Sequence, residues 1–219
     1  PLVYASKENG ITVGVATKTN ALLDQLVHKE LPLLSEALGI TYAPLKGFSH
    51  YPCLRKVETL VNQGPQTIIY KKQPINQTPS LAALLSFIVQ SDYDDMDALK
   101  IDYRAIPRRR ITTSSAECLR RKCPFFGRSC FVHGAREQAQ RCDVVVTNHS
   151  LLFWDTRFEG GLLPPIRYWV VDEAHGAEAE ARRAFSLSVS SNEIMALVKR
   201  VTADSASTNV LTRVKRSAQ

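Results

Sequence analysis

The run Tyr168-Trp169-Val170-Val171 passes directly into Asp172-Glu173, and this constrains the fold more than any other stretch. Four β-prone apolar residues bounded by charge predict a short strand buried on both faces, as in a parallel sheet covered by helices. Parallel strands need crossover connections, so such a strand implies further strand–helix units. The sequence supplies them. ITVGVA at 11–16 is β-rich, residues 41–45 read as a second strand, and VVV at 144–146 as another. Between the first two, Leu22, Leu23, Leu26, Val27, Leu33, Leu34 and Leu38 fall near helical spacing. Asn20 is the expected cap of that helix, Pro32 its break and Gly39 its end.

Two acids at the carboxyl end of a buried strand lie where ligands bind in open α/β sheets. Asp172 there can hold Mg²⁺, and Glu173 can orient an attacking water. The competing reading is that both acids only open a helix over 174–183, where the helix dipole favours negative charge. A P-loop ought to accompany a hydrolysis site. The nearest candidate, Gly14-Val15-Ala16-Thr17-Lys18-Thr19, has Thr17 where the loop needs glycine, so it is rejected as a phosphate cradle.

Residues 46–141 break the strand–helix alternation and carry cysteines. Cys118-x4-Cys123-x6-Cys130 is wider than a CxxC knuckle, and Cys53 is the natural fourth thiol. Looser spacings suit an iron–sulfur cluster, but a zinc site remains open, with His133 able to replace Cys53. Cys142, beside the strand at 144–146, reads as a buried core thiol. Five cysteines cannot all pair with one another, and a thiol cluster in a reducing compartment is more often a metal site. Arg120, Arg121, Lys122 and Arg128 would offset thiolate charge and meet phosphate. The net charge of +7 points the same way, towards an anionic partner.

The remaining features are less specific. Residues 79–90 predict a helix capped by Ser80. The acids Asp92, Asp94, Asp95 and Asp97 read as a solvated helix start, and Arg108, Arg109 and Arg110 as a solvated run. Helical spacing returns over 132–141, and a further helix is expected to open at Ser190 or Ser191. The stretch 46–141 shows little apolar patterning of its own. No run is apolar enough to span a bilayer and no leader pattern opens the chain, which makes the cytoplasm the expected location.

Taken together, these motifs resemble the iron–sulfur superfamily 2 DNA helicases of the DinG and XPD type, with the bacterial DinG-like proteins the nearer pattern. VATKTNALLDQL resembles their motif Ia, LKGFSHYPCLRK the segment of the first cluster cysteine, and ECLRRKCPFFGRSCFVHGAREQAQRCDVVVTNHSLLF the other three. DEAH resembles motif II. The resemblance implies a partial RecA-like α/β motor domain with a mainly helical iron–sulfur insertion. Its divisions would be residues 1–49 and 142–185 for the motor, 50–141 for the insertion, and 186–219 for the start of an arch-type insertion. It makes Cys53, Cys118, Cys123 and Cys130 ligands of a 4Fe-4S cluster and Asp172 the Mg²⁺ carboxylate. Glu173 becomes the water-activating residue and His175 a link between nucleotide state and DNA. Thr17, Lys18 and Thr19, with Arg120 and Arg121, become DNA contacts. The implied activity is ATP-driven 5′-to-3′ movement on single-stranded or forked DNA by a monomer. The P-loop would lie upstream of Pro1 and a second motor domain beyond Gln219, leaving this segment inactive as an ATPase. The alternative from another class is a non-catalytic nucleic-acid-binding module with a structural zinc site made by four cysteines.

Overall fold

A computed structural model describes residues 2–158 and 161–186, with the isolated positions 191, 194, 195 and 198. The chain divides into two compact units, Pro1–Ala184 and Phe185–Gln219. Most of the second unit lies outside the described residues; of the helix expected to open at Ser190 or Ser191, only Ser191, Ile194, Met195 and Val198 are described, and these are helical.

The first unit opens with α1 (Leu2–Asn9) and β1 (Val13–Thr17). Next come α2 (Asn20–Gln25), a π turn over Leu26–Glu30, α3 (Leu31–Leu38) and β2 (Tyr42–Pro44). Pro32 sits in the first turn of α3, where its missing N–H costs nothing, and the irregularity falls in the π turn before it. Gly39 closes α3 with φ 63°. The cap of α2 is Thr19, whose hydroxyl accepts from Leu22 N–H at 3.2 Å, so Asn20 is the first helical residue and its side chain is freed for other work.

After a 3₁₀ turn at Phe48–His50, the cysteine-bearing stretch contains α4 (Leu54–Asn62) and an antiparallel hairpin of β3 (Thr67–Tyr70) and β4 (Gln73–Asn76). It continues with α5 (Thr78–Gln90) and α6 (Arg108–Ile111). The hairpin was not expected. Its turn residues Lys71 and Lys72 have φ 46° and 68°, the type I′ pattern that Asn-Gly normally announces. Ser80 does not cap α5 either: it is buried within the helix, its hydroxyl accepting from Asp102 N–H at 3.1 Å. This stretch has a core of its own, built on Val57, Leu60, Leu81, Leu84, Met96, Ile106 and Ile111. The expectation of weak apolar patterning is therefore corrected. The core is drawn from short segments whose periodicity is too brief to register singly.

Then follow α7 (Phe131–Gln140), β5 (Val144–Asn148), α8 (His149–Arg157) and β6 (Tyr168–Val171). A 3₁₀ turn at Ala174–Gly176 leads into α9 (Ala177–Phe185). The main sheet has the order β2-β5-β1-β6 and every pairing in it is parallel. The expected α/β class with a parallel sheet holds. Alternation along β5 divides the core: Val144 and Val146 join Leu23, Val27, Leu31 and Ile40, while Val145 joins Phe131, Ala135, Ala139 and Leu151. The sheet is covered on one face by α2–α3 and on the other by α7 and α8. At about 1.5–3 kcal/mol per fully buried valine, β5 is its apolar anchor.

The strand β6 is less buried than expected, with Tyr168 and Val170 about 40% exposed. It is the last strand in the sheet order, so it pairs on one side alone. Its Trp169 lies over β1 so closely that a Cβ on Gly14 would stand 2.3 Å from the indole ring. Gly14 is thus a packing glycine, not the relic of a phosphate loop.

Candidate active site and cysteine cluster

Because β1, β5 and β6 are parallel, their carboxyl ends share one edge, with Thr17 beside Asn148 and Ala16 beside Val171. The Asp172 N–H extends the ladder by donating to Ala16 C=O at 2.9 Å. Its own carbonyl accepts from His149 Nε2 at 2.8 Å. The chain then turns sharply through Glu173 at φ 51°, ψ 42°, left-handed backbone that costs a non-glycine residue about 1 kcal/mol. Glu173 N–H donates to Asp172 Oδ1 at 2.9 Å, and its carboxylate lies 3.3 Å from His175 Nδ1. His175 Nε2 is 3.1 Å from Lys18 Nζ. Both contacts are satisfied at once when Nδ1 carries the proton and Nε2 accepts from the ammonium.

Asp172, Glu173 and His175 are all at this edge, and all three are exposed. The reading in which the acids merely open the next helix loses its footing. Glu173 makes no side-chain cap bond, and the acids in the first turn of α9 are Glu178 and Glu180. The stretch 17–19 lies at the same edge but divides. Thr17 is fully buried, donating its hydroxyl to Thr19 C=O at 3.0 Å, Thr19 caps α2, and Lys18 reaches His175. The Thr17 hydroxyl is therefore committed inside the fold.

The cysteine side chains come from four loops and helix starts. Cys53 precedes α4 and Cys130 precedes α7, both at N-terminal ends, where the dipole favours a thiolate. Cys118 and Cys123 bracket a 3₁₀ turn at Arg120–Lys122. All four line one cavity of about 30 Å³, closed by Pro52, Phe125, Phe126 and Val132. Burial raises the Cys130 thiol pKa against the opposing pull of the His133 N–H, with the charges of Cys118 and Cys123 adding to the rise. Among the described residues no three His, Cys, Asp or Glu side chains are drawn tightly enough together to hold a metal ion. The donor set nevertheless fits a thiolate-bound metal group, with four half-buried free thiols bordering one small space.

Cys142 is outside that cavity, its thiol donating to Gln138 C=O at 3.3 Å beside the core. His133 lines a neighbouring cavity of about 510 Å³ with Arg120, Arg121, Lys122 and Arg136. Its ring packs edge-on against Phe126 at 4.2 Å.

Sequence reasoning missed a second charged centre. Lys46, just after β2, is 3% exposed, and its Nζ lies 2.7 Å from Asp24, 3.0 Å from Asp95 and 2.9 Å from Asp97. Burial works against the ammonium, but Asp24, Asp97 and Asp95 outweigh it and raise the pKa above the ordinary lysine range. Asp97 is also bound by His50 and Arg108. Burial would raise its pKa, yet His50, Arg108 and Lys46 together hold the carboxyl well below the usual range. Asp95 and Asp97, read as part of a solvated helix start, are instead counter-ions of a buried lysine. Arg108, from the run read as solvated, is one of their partners. From His50 the network continues: Asn20 Nδ2 lies 3.2 Å from its Nε2, and Asn148 Nδ2 donates to Asn20 Oδ1 at 2.6 Å. Only the +51 and +128 separations in sequence hid these partners.

No protein-family model matches the chain. Individual relatives do. The chain is 32% identical over 208 residues to the ATP-dependent DNA helicase YoaA of Escherichia coli (strain K12), covering 92% of this chain and 31% of that protein. It is 35% identical over 192 residues to the ATP-dependent helicase DinG of Mycobacterium tuberculosis (strain H37Rv), covering 80% of this chain and 28% of the relative. For the ATP-dependent DNA helicase DinG of Salmonella choleraesuis (strain SC-B67) the identity is 30% over 199 residues, with 86% and 28% covered. The resemblance to the DinG-type helicases holds. It extends over most of this DinG-like segment, which spans about 30% of the length of the curated relatives it matches. Among the described residues no helix is long and apolar enough to cross a membrane.

Proposed function

We propose that this DinG-like segment belongs to an ATP-dependent DNA helicase that couples ATP hydrolysis to 5′-to-3′ movement on single-stranded or forked DNA in the cytoplasm. The observation that carries the reading is the pair Asp172-Glu173 at the carboxyl edge of a parallel sheet. The pair is held in a fixed turn and joined through His175 to Lys18. In this reading residues 1–49 and 142–185 are parts of a RecA-like motor domain, 50–141 its iron–sulfur insertion and 186–219 the start of an arch-type insertion. Asp172 binds the Mg²⁺ that accompanies the nucleotide, Glu173 orients and deprotonates the attacking water, and His175 relays the state of the site towards Lys18 at the end of β1. Lys18 and Thr19 face the DNA backbone, and Arg120 and Arg121 contact phosphate beside the thiols. Thr17 supports that loop from inside.

Cys53, Cys118, Cys123 and Cys130 hold a 4Fe-4S cluster, which would supply a rigid cross-link among α4, α7 and the loop between α6 and α7. Phe125 and Phe126 shield the thiols from water, and Arg120, Arg121 and Lys122 balance their charge. Support for thiol-only ligation comes from the four cysteines bordering one cavity, while His133 lines the next. The test is unwinding by the protein that carries this segment, on duplexes with 5′ or 3′ single-stranded tails. Displacement of the 5′-tailed substrate with ATP, and none with Glu173→Gln, is the expected result. Displacement of the 3′-tailed substrate would reverse the assigned direction, and none on either would refute the motor reading.

A further inference from the structure

His149, the first residue of α8, is fully buried, with Nε2 2.8 Å from the Asp172 carbonyl oxygen. A carbonyl only accepts, so Nε2 carries a hydrogen and donates it. The other ring nitrogen, Nδ1, is equally buried and has no hydrogen-bond partner among the described residues. A histidine placed for general packing has no need of this arrangement. A leucine would fill the space without sealing a polar nitrogen inside, which costs about 1–3 kcal/mol. What the imidazole provides is one hydrogen bond at one place, the peptide between Asp172 and Glu173.

That peptide is where the site's geometry is set. On its near side Asp172 N–H is fixed to β1, and on its far side the backbone enters the left-handed region at Glu173. Rotation of this peptide would relax the strained turn and move the Glu173 carboxylate from its place 3.3 Å from His175 Nδ1. The bond from His149 resists that rotation. We propose that His149 is a positioning residue for the reaction. It acts through the Asp172 carbonyl, holding the Glu173 carboxylate where it can take a proton from the attacking water. The role rests on reading Asp172 and Glu173 as a hydrolysis site.

Two substitutions separate this role from packing. Gln places its Nε2 near the position of the imidazole Nε2 and keeps the donor, whereas Leu keeps the bulk and loses it. In the protein that carries this segment, His149→Leu lowers kcat for ATP hydrolysis by about 10- to 100-fold, as misplacement of a catalytic group by about 1 Å does. KM for ATP and affinity for single-stranded DNA stay within about two-fold, since the fully buried His149 ring offers no surface to either. His149→Gln recovers most of kcat. Imidazole ¹⁵N spectra of the wild-type segment show the Nε2–H tautomer at His149, a readout that needs no turnover. Wild-type kcat in His149→Leu, or no recovery in His149→Gln at equal melting temperature, would overturn the proposal, as would an Nδ1–H tautomer. Absence of turnover in the wild-type protein would overturn the hydrolysis reading itself. The ¹⁵N spectrum would then still report whether the hydrogen bond exists.

Discussion

Lys46 Nζ lies 2.9 Å from the Asp97 carboxylate, joining the end of β2 to the loop that follows α5. The lysine side chain is 1% exposed and Asp97 23%, so this ion pair is screened far less than one on the surface. Asp24 on α2 and Asp95 complete the set, and Arg108 binds Asp97 from α6. One buried ammonium thus ties the sheet, its covering helix and the cysteine-bearing stretch together.

Acid should loosen this junction. The Asp97 pKa is depressed in the fold, so its contribution is complete above the unfolded carboxylate value of about 3.9 and falls away as pH drops below it. Thermal melts from pH 7 to pH 3 are expected to show a loss of stability below about pH 4 that is smaller in Asp97→Asn. Lys46→Met takes the ammonium from Asp24 and Asp95, leaves Asp97 to His50 and Arg108, and should cost about 3–5 kcal/mol at pH 7, the usual penalty for removing one partner of a buried pair. Equal melting temperatures for Lys46→Met and wild type would deny the junction.

Two glycines of different standing give a contrast. An alanine Cβ at position 14 meets Trp169 at 2.3 Å, whereas at position 47 nothing lies within 4 Å. Gly14→Ala is expected to destabilise by about 1–3 kcal/mol through overpacking, and Gly47→Ala to be neutral within about 0.5 kcal/mol. Denaturant titrations of both variants check this. A neutral Gly14→Ala would mean that Trp169 does not sit on β1.

Removing single thiols tests the ligand set. Ser in place of Cys53, Cys118, Cys123 or Cys130 should abolish bound iron and the broad absorption near roughly 400 nm that thiolate-bound iron–sulfur clusters give. Cys142→Ser should retain both. The core around Leu84 and Met96 should still unfold cooperatively in the four metal-free variants, because it is apolar and independent of the thiols. Iron loss in all five variants would contradict the place of Cys142, and bound zinc without iron would favour the nucleic-acid-binding alternative.

Much of this was legible in the sequence. The strands 144–146 and 168–171 announce themselves because apolar runs bounded by polar residues have few other uses. DEAH at the end of one of them placed Asp172 and Glu173 correctly at the sheet edge. What stayed hidden depends on distance along the chain. Asn20 was read as a cap because Asn is good at that, and only the fold shows Thr19 taking the role while Asn20 bridges His50 and Asn148. The lysines of the hairpin turn conceal it, since a Lys-Lys pair at positive φ is no local signal. Lys46 could not be paired with Asp24, Asp95 and Asp97 before the fold brought them together. The role of His149 was not legible locally, because its partner is a backbone carbonyl 23 residues away.

The basic groove beside the thiols sets an expectation for DNA. Arg120, Arg121 and Lys122 line a cavity of about 510 Å³, while Phe125 lines the thiol cavity. Charge reversal at Arg120 and Arg121 should weaken single-stranded DNA binding more than Phe125→Ala at equal iron content. Affinity should fall steeply with salt as counterions are released. Salt-independent binding, measured by fluorescence anisotropy, would place the DNA elsewhere.

The most direct measurement is phosphate release from ATP by the protein that carries this segment, with and without single-stranded DNA, in wild type and Glu173→Gln. The account predicts turnover that DNA stimulates in the wild type and that falls to background in the variant, with nucleotide binding retained. Turnover that is unaffected by Glu173→Gln, or that is absent from the wild type under both conditions, would contradict it.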